Sequence, residues 1–304
     1  MNWPTALVFL AMLAMSVAAW TLIAHRLRQG RAMLPLTPRR AVPWRGLDLL
    51  MVIVFYVFAR SALWTVCSVI ASAAGWTDDA TRLAALPPDS TDPDKFALDL
   101  ASNTAGNLAT IGFVLLWILS HTDASWSDLG WRRETVRDDL RAGLLAFAAI
   151  AAPIYGLQAL LSAFVTQRHP IIEVLERHPS WLLYVLSGLS AVAVAPLAEE
   201  LLFRALLQGW LESVRVLQAP DPVVAADSEA APQVQPRRGA IIVSSLVFAL
   251  LHLGHGADAV PLFFFALALG YLYQQTHRLM PSVTLHFCLN ASSFAALCLS
   301  GPAN

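Results

Sequence analysis

"WLLYVLSGLSAVAVAPLAEELLFRALLQGW", residues 181–210, carries no charge through residue 198 and then sets Glu199, Glu200 and Arg204 inside the same apolar run. A helix of about 20 apolar residues crosses the hydrocarbon core of a bilayer. An ionisable side chain at that depth costs about 2.5–3.5 kcal/mol on insertion scales, so such groups pair, line a wet cavity or perform chemistry. The stretch therefore reads as a membrane span with a polar purpose.

The rest of the chain agrees. Of 304 residues 57% are hydrophobic and 13% charged, with a mean hydropathy of +0.58; a soluble domain carries roughly a quarter charged residues. The expected fold class is all-α, a polytopic transmembrane bundle of about eight spans near 4–24, 48–73, 102–120, 142–165, 181–214, 239–253, 259–275 and 281–299. Pro196 is expected to kink the fifth. The sixth and seventh are short and separated by "GHGAD", as a tilted or incomplete pair would be. The partner is the lipid bilayer. The net charge of −1 says nothing about nucleic acid, but no basic patch suits it, and it is not an expected partner. Cys67, Cys288 and Cys298 lie in apolar segments and read as packing residues. In "MNWPTALVFLAMLAMSVAAW" no positive residue precedes the apolar run, which fits a retained first span better than a cleaved signal.

Arginine placement gives the orientation. Arg26, Arg28, Arg31, Arg39, Arg40 and Arg45 follow the first span, whereas the next loop holds Arg82 and Lys95 among six aspartates. Continued along the chain, the alternation puts 14 positive residues on one side and 4 on the other. The positive-inside rule then places both termini outside the cytoplasm. The Pro-, Ala- and acid-rich stretch 218–238 reads as a flexible cytoplasmic linker. "IIEVLERH", 171–178, is a candidate for a surface-lying segment.

Glu200 and Arg204, four apart, can face each other as an ion pair, and Glu199 projects about 100° away. "FALLH", 248–252, ends another span on His252, and "HFCLN", 286–290, sets His286 and Asn290 one helical turn apart. Glu and His are residue types that activate water, and His and Asn can stabilise an oxyanion.

These three segments resemble the motifs EExxxR, FxxxH and HxxxN of the CAAX prenyl endopeptidase and bacteriocin-processing group of intramembrane proteases, the CPBP family. They occur in that family's order, and the resemblance covers roughly residues 140–300. It implies a protease core over 140–300 that includes the linker, preceded by N-terminal spans with basic loops over 1–139. It also implies a multi-pass protein of a bacterial inner membrane that hydrolyses a peptide bond in a membrane-associated or lipidated peptide. Glu199 would be the base, with Glu200 as the alternative. His252 would hold the water, His286 and Asn290 would serve the oxyanion, and Arg204 would orient Glu200. No cofactor is required by this reading. A zinc site built from Glu199, His252 and His286 is the rival within the same reaction, with His255 as a further ligand candidate. Other classes are a transporter or proton relay, for which two similar halves with broken helices are not evident, and an immunity protein that retains the fold without turnover. Arg60, mid-way along the second span, is read as a partner for a carboxylate or a backbone carbonyl before substrate recognition. Asn103 and Asn107 are read as packing.

The arginine alternation predicts a cytoplasmic 218–238 linker and an external 75–99 loop. With the native cysteines replaced, a cysteine in the acidic loop should react with an impermeant thiol reagent in intact cells and one in the linker should not. The reverse pattern inverts the topology.

Overall fold

In hydrocarbon every peptide N–H and C=O must be satisfied within the protein, which restricts an open chain of this composition to helices. The computed structural model describes residues 3–38, 41–77, 80–87, 90–164, 170–217, 236–253 and 258–300, and no strand occurs among them. His255 and all but the last three residues of the expected linker lie outside the described residues. The helices are α1 (Trp3–Arg28), α2 (Gly46–Ala73), α3 (Ala80–Ala85), α4 (Pro93–His121), α5 (Val136–Ser162), α6 (Pro170–Arg177), α7 (Trp181–Gly188), α8 (Ala195–Glu200), α9 (Gly209–Leu217), α10 (Arg238–Leu250), α11 (Ala259–Thr276) and α12 (Leu279–Ser300). Two π-helical stretches, Leu189–Val194 and Leu201–Gln208, join α7, α8 and α9 into one rod. "IIEVLERH" falls on α6, where Val174 and Leu175 are buried.

Among the described residues six helices are long and apolar enough to cross a membrane: Leu7–Arg28, Gly46–Ala73, Pro93–His121, Arg133–Ser162, Trp181–Val214 and Leu279–Leu299. The chain is thus a multi-pass helical membrane bundle, and six of the eight expected spans meet that measure. Of the other two, α10 has 13 residues, about 20 Å at 1.5 Å per residue, and α11 ends on the polar run Gln274–Gln275–Thr276.

Small residues bring these helices together, as they must where lipid gives no hydrophobic drive for association. A Cβ on Gly143 of α5 would stand 2.5 Å from the Thr284 side chain and 2.7 Å from the Pro281 carbonyl oxygen, so α5 and α12 meet at a point where only hydrogen fits. α2 packs chiefly on α4. Leu49, Val52, Val114 and Ile118 from that pair bury Leu201, Ala205 and Leu206 of the long rod.

The loops rich in arginine share one end of the bundle. Thr37 N–H donates to Gln275 O at 2.7 Å, and Leu279 N–H donates to Gly130 O at 2.8 Å. Val42 N–H donates to Ser213 Oγ at 3.0 Å, and Arg278 Nε lies 2.9 Å from the buried Asp139 carboxylate. The alternation read from the sequence therefore corresponds to a physical grouping of those loops.

Pro153 lies inside α5 and has no N–H for the carbonyl four residues earlier, that of Ala149. Two donors from α1 take its place: Ser16 Oγ at 2.9 Å and Trp20 Nε1 at 3.0 Å. Docking of the first span thus coincides with a backbone vacancy created by the fourth. Replacing both donors, Ser16→Ala with Trp20→Phe, should lower stability in detergent by ~1–3 kcal/mol, the cost of an unsatisfied buried acceptor. Adding Pro153→Ala should recover most of it, and a thermal unfolding series on the parent, the double variant, the triple variant and Pro153→Ala alone checks both.

Candidate active site

An unpaired buried ion is among the costliest features a protein can hold, and here the buried ions are paired. Glu200 and Arg204 are both fully buried, and the Arg204 Nε donates to Glu200 Oε2 at 3.0 Å. The guanidinium makes two further contacts. Its Nη1 donates to Ser244 Oγ of α10 at 3.1 Å, and its carbon sits 5.3 Å from the centre of the Phe248 ring, within cation–π range. Ser244 in turn donates to the Phe203 carbonyl at 2.9 Å.

The other oxygen of Glu200 holds His286, whose Nδ1 donates to Oε1 at 2.9 Å. This contact fixes the ring, and its Nε2 lies 3.7 Å from Glu199 Oε2. Neighbouring glutamates 100° apart on a helix thus meet one imidazole from opposite edges. They differ in setting: the Glu200 side chain is wholly buried, while that of Glu199 retains 26% of its exposure. His252 is half-buried and donates from Nδ1 to the Phe248 carbonyl at 2.7 Å. Both imidazoles lie within electrostatic reach of the Glu199 carboxylate. Asn290, one turn beyond His286 on α12, donates from Nδ2 to the Ala191 carbonyl at 2.8 Å.

Aromatic rings close the walls. Phe248 lies edge-on to Phe203 at 5.2 Å and to His286 at 6.0 Å, and against His252 at 4.6 Å. Phe265 of α11 meets His286 edge-on at 5.1 Å. The site is therefore a charged cluster in an apolar box, with Glu199 its most accessible carboxylate.

Glu199, Glu200, Arg204, His252 and His286 converge, the arrangement that the resemblance implied. The sequence reading does not include Ser244 or Phe265, although Ser244, Phe248 and His252 recur every four residues; the first two lie on α10 and His252 just beyond its end. Arg60 stands apart, exposed on α2, with its Nη1 donating to Tyr56 Oη at 3.2 Å. Asn107 is buried in α4. Among the described residues no three His, Cys, Asp or Glu side chains come together as a metal-ligand set. Glu200 and the Nδ1 of each histidine are committed to protein partners.

This asymmetry predicts different costs for two neighbouring substitutions. Glu200→Gln strands Arg204 in a buried position and should destabilise the protein by ~3–5 kcal/mol. Glu199→Gln should stay within about 1 kcal/mol of the parent. Thermal unfolding in detergent separates them, and equal losses would mean that the two carboxylates share the structural load.

A family model described as Type II CAAX prenyl endopeptidase Rce1-like matches residues 180–292. No curated protein and no solved structure matches the chain. The matched stretch runs from the start of the long rod to just past Asn290, so it contains every residue of the cluster, and what this part of the chain is similar to is a CAAX prenyl endopeptidase.

Proposed function

We propose that the protein is an intramembrane endopeptidase that hydrolyses a peptide bond in a membrane-associated, CAAX-type prenylated peptide, using water activated by Glu199. One observation carries this reading: His286 is held by the buried Glu200–Arg204 pair with its second ring nitrogen turned toward the partly exposed Glu199. A carboxylate that orients an imidazole beside a second, accessible carboxylate is an acid–base arrangement, and a packing cluster has no need of that accessibility.

In the proposed reaction Glu199 takes a proton from water as its oxygen bonds to the scissile carbonyl carbon. Charge moves onto the carbonyl oxygen, to which His252 and His286 can donate from Nε2 only as imidazolium, since each Nδ1 carries the proton given to Phe248 O or to Glu200. Collapse of the intermediate breaks the C–N bond, and Glu199 returns the proton to the leaving nitrogen. Arg204 and Glu200 touch no reacting atom in this scheme; they hold His286 on line. The surrounding Phe203, Phe248 and Phe265 keep the local dielectric low, which strengthens each of these interactions. The greasy surroundings suit a substrate that carries a lipid chain.

Glu199→Gln keeps shape and hydrogen bonding, so the variant should fold and fail to cleave a farnesylated CAAX reporter peptide in liposomes. Metal analysis of the purified parent should find no stoichiometric zinc, and cleavage should survive prolonged chelation. Zinc at one per chain, lost on His252→Ala and His286→Ala, would redirect the mechanism to a metal. Wild-type protein that cleaves no prenylated peptide, yet conducts protons in a Glu199-dependent way, would sink the protease reading.

A further inference from the structure

Asn290 spends a hydrogen bond on a backbone oxygen, Ala191 O, that no amide of its own helix can serve. In the π-helical turn Leu189–Val194 the N–H of Ala195 goes to Ser190 O, a five-residue step. The next amide in that register, the partner due to Ala191 O, belongs to residue 196. Residue 196 is proline and has no N–H. Nδ2 of Asn290 stands in the place of that missing donor, 2.8 Å from the oxygen. Ala149 O, opposite Pro153, is treated the same way from another helix, so the chain fills such vacancies twice.

Position gives this contact its consequence. Glu199 and Glu200 lie within one turn after Pro196, and His286 lies one turn before Asn290. The long rod and α12 are thus pinned twice at neighbouring levels, by Asn290 on Ala191 and by His286 on Glu200. A shift in the first contact rotates the short α8 segment that carries both glutamates, and with it the separation of Glu199 from His286.

We propose that Asn290 is a positioning residue: it supplies the hydrogen bond that Pro196 withholds and thereby sets Glu199 and Glu200 against His286. The catalytic part of this statement rests on the protease reading; the hydrogen-bond part does not.

The test is a cycle of Asn290→Ala, Asn290→Asp, Pro196→Ala and the doubles with Pro196→Ala, in the full chain reconstituted in liposomes and, for unfolding, in detergent. Pro196→Ala restores a backbone N–H at the place that Asn290 serves. Asn290→Ala and the isosteric Asn290→Asp, which lacks the donor, should each lower the midpoint of thermal unfolding. At a temperature well below unfolding they should also lower kcat for the farnesylated CAAX reporter by about tenfold, with KM unchanged. Adding Pro196→Ala should return most of both losses in Asn290→Ala and less in Asn290→Asp, whose carboxylate still faces the Ala191 oxygen. If Asn290→Ala does not fold alone, recovery of folding in the double variant supports the inference and failure to recover overturns it. A kcat loss that Pro196→Ala leaves in place would mean that Asn290 acts on the reacting oxygen, and an unchanged kcat in a folded Asn290→Ala protein would mean that it acts on nothing in the reaction. Should the wild type cleave no reporter, the protease reading falls, and the unfolding cycle alone still decides whether Asn290 replaces the proline's donor.

Discussion

A peptide carbonyl left without a donor in hydrocarbon costs several kcal/mol, and this chain creates such carbonyls with prolines and wide turns. Ala149 and Ala191, each opposite a proline, accept side-chain donors from another helix, Ser16 with Trp20 and Asn290, and Phe203 and Leu206 of the long rod also accept from Ser244 and Trp44. Three of the four lie on the long rod, within or beside its π-helical stretches. Helix association in lipid has no hydrophobic term to draw on, so these bonds are directional forces that choose which neighbour packs where. The irregularity of the rod is therefore part of how the bundle is assembled. Its contacts fall on α12, on α10 and on the segment before α2, the elements that surround the charged cluster.

Electrostatics then divide two chemically identical neighbours. Arg204 cannot be left alone at full burial, and the residue one turn before it, Glu200, neutralises it and is fixed in doing so. Its remaining oxygen orients His286. Glu199 has no such duty and keeps part of its surface. The division of roles follows from helical geometry: a partner at i−4 faces Arg204, and a partner at i−5 does not.

Much of this was legible in the sequence. The apolar runs marked the six long spans, and the arginines marked which loops share an end. Charged residues in an apolar segment gave the cluster, because burial of charge is expensive wherever it occurs. What could not be read has a common cause. Whether a helix winds by four residues or five depends on donors that other helices bring, and Asn290 is four residues from His286 in either case. The resemblance marked Asn290 and the composition of α12 gave no reason to connect it with Ala191. Pro196 read as a kink; the structure absorbs it in a wide turn, since a five-residue register moves the missing donor onto a carbonyl that α12 can reach. α10 and α11 read as a short, tilted or incomplete pair, and neither is among the six helices long and apolar enough to cross, α10 for its 13 residues.

Winding also explains a polar seam that composition alone would not place. Glu200, Arg204, Gln208 and Glu212 are spaced by four and all are buried. In a regular α-helix each step of four overshoots a full turn by about 40°, so three steps would carry the last side chain about 120° off the first face. The π-helical stretch Leu201–Gln208 lies between the first and last of them. Its wider turn reduces the overshoot, and all four stay inside the bundle. Gln208 donates to Glu212 at 2.9 Å and to Gly270 O at 2.9 Å, and Gln274 donates to the same Glu212 oxygen at 3.0 Å. A Cβ on Gly270 would stand 2.9 Å from Gln208 Oε1, so α11 reaches this seam by having no side chain there. The rod thus has two wide turns with separate consequences: Leu189–Val194 precedes the segment that carries the glutamates, and Leu201–Gln208 keeps the polar groups that follow them inside the bundle.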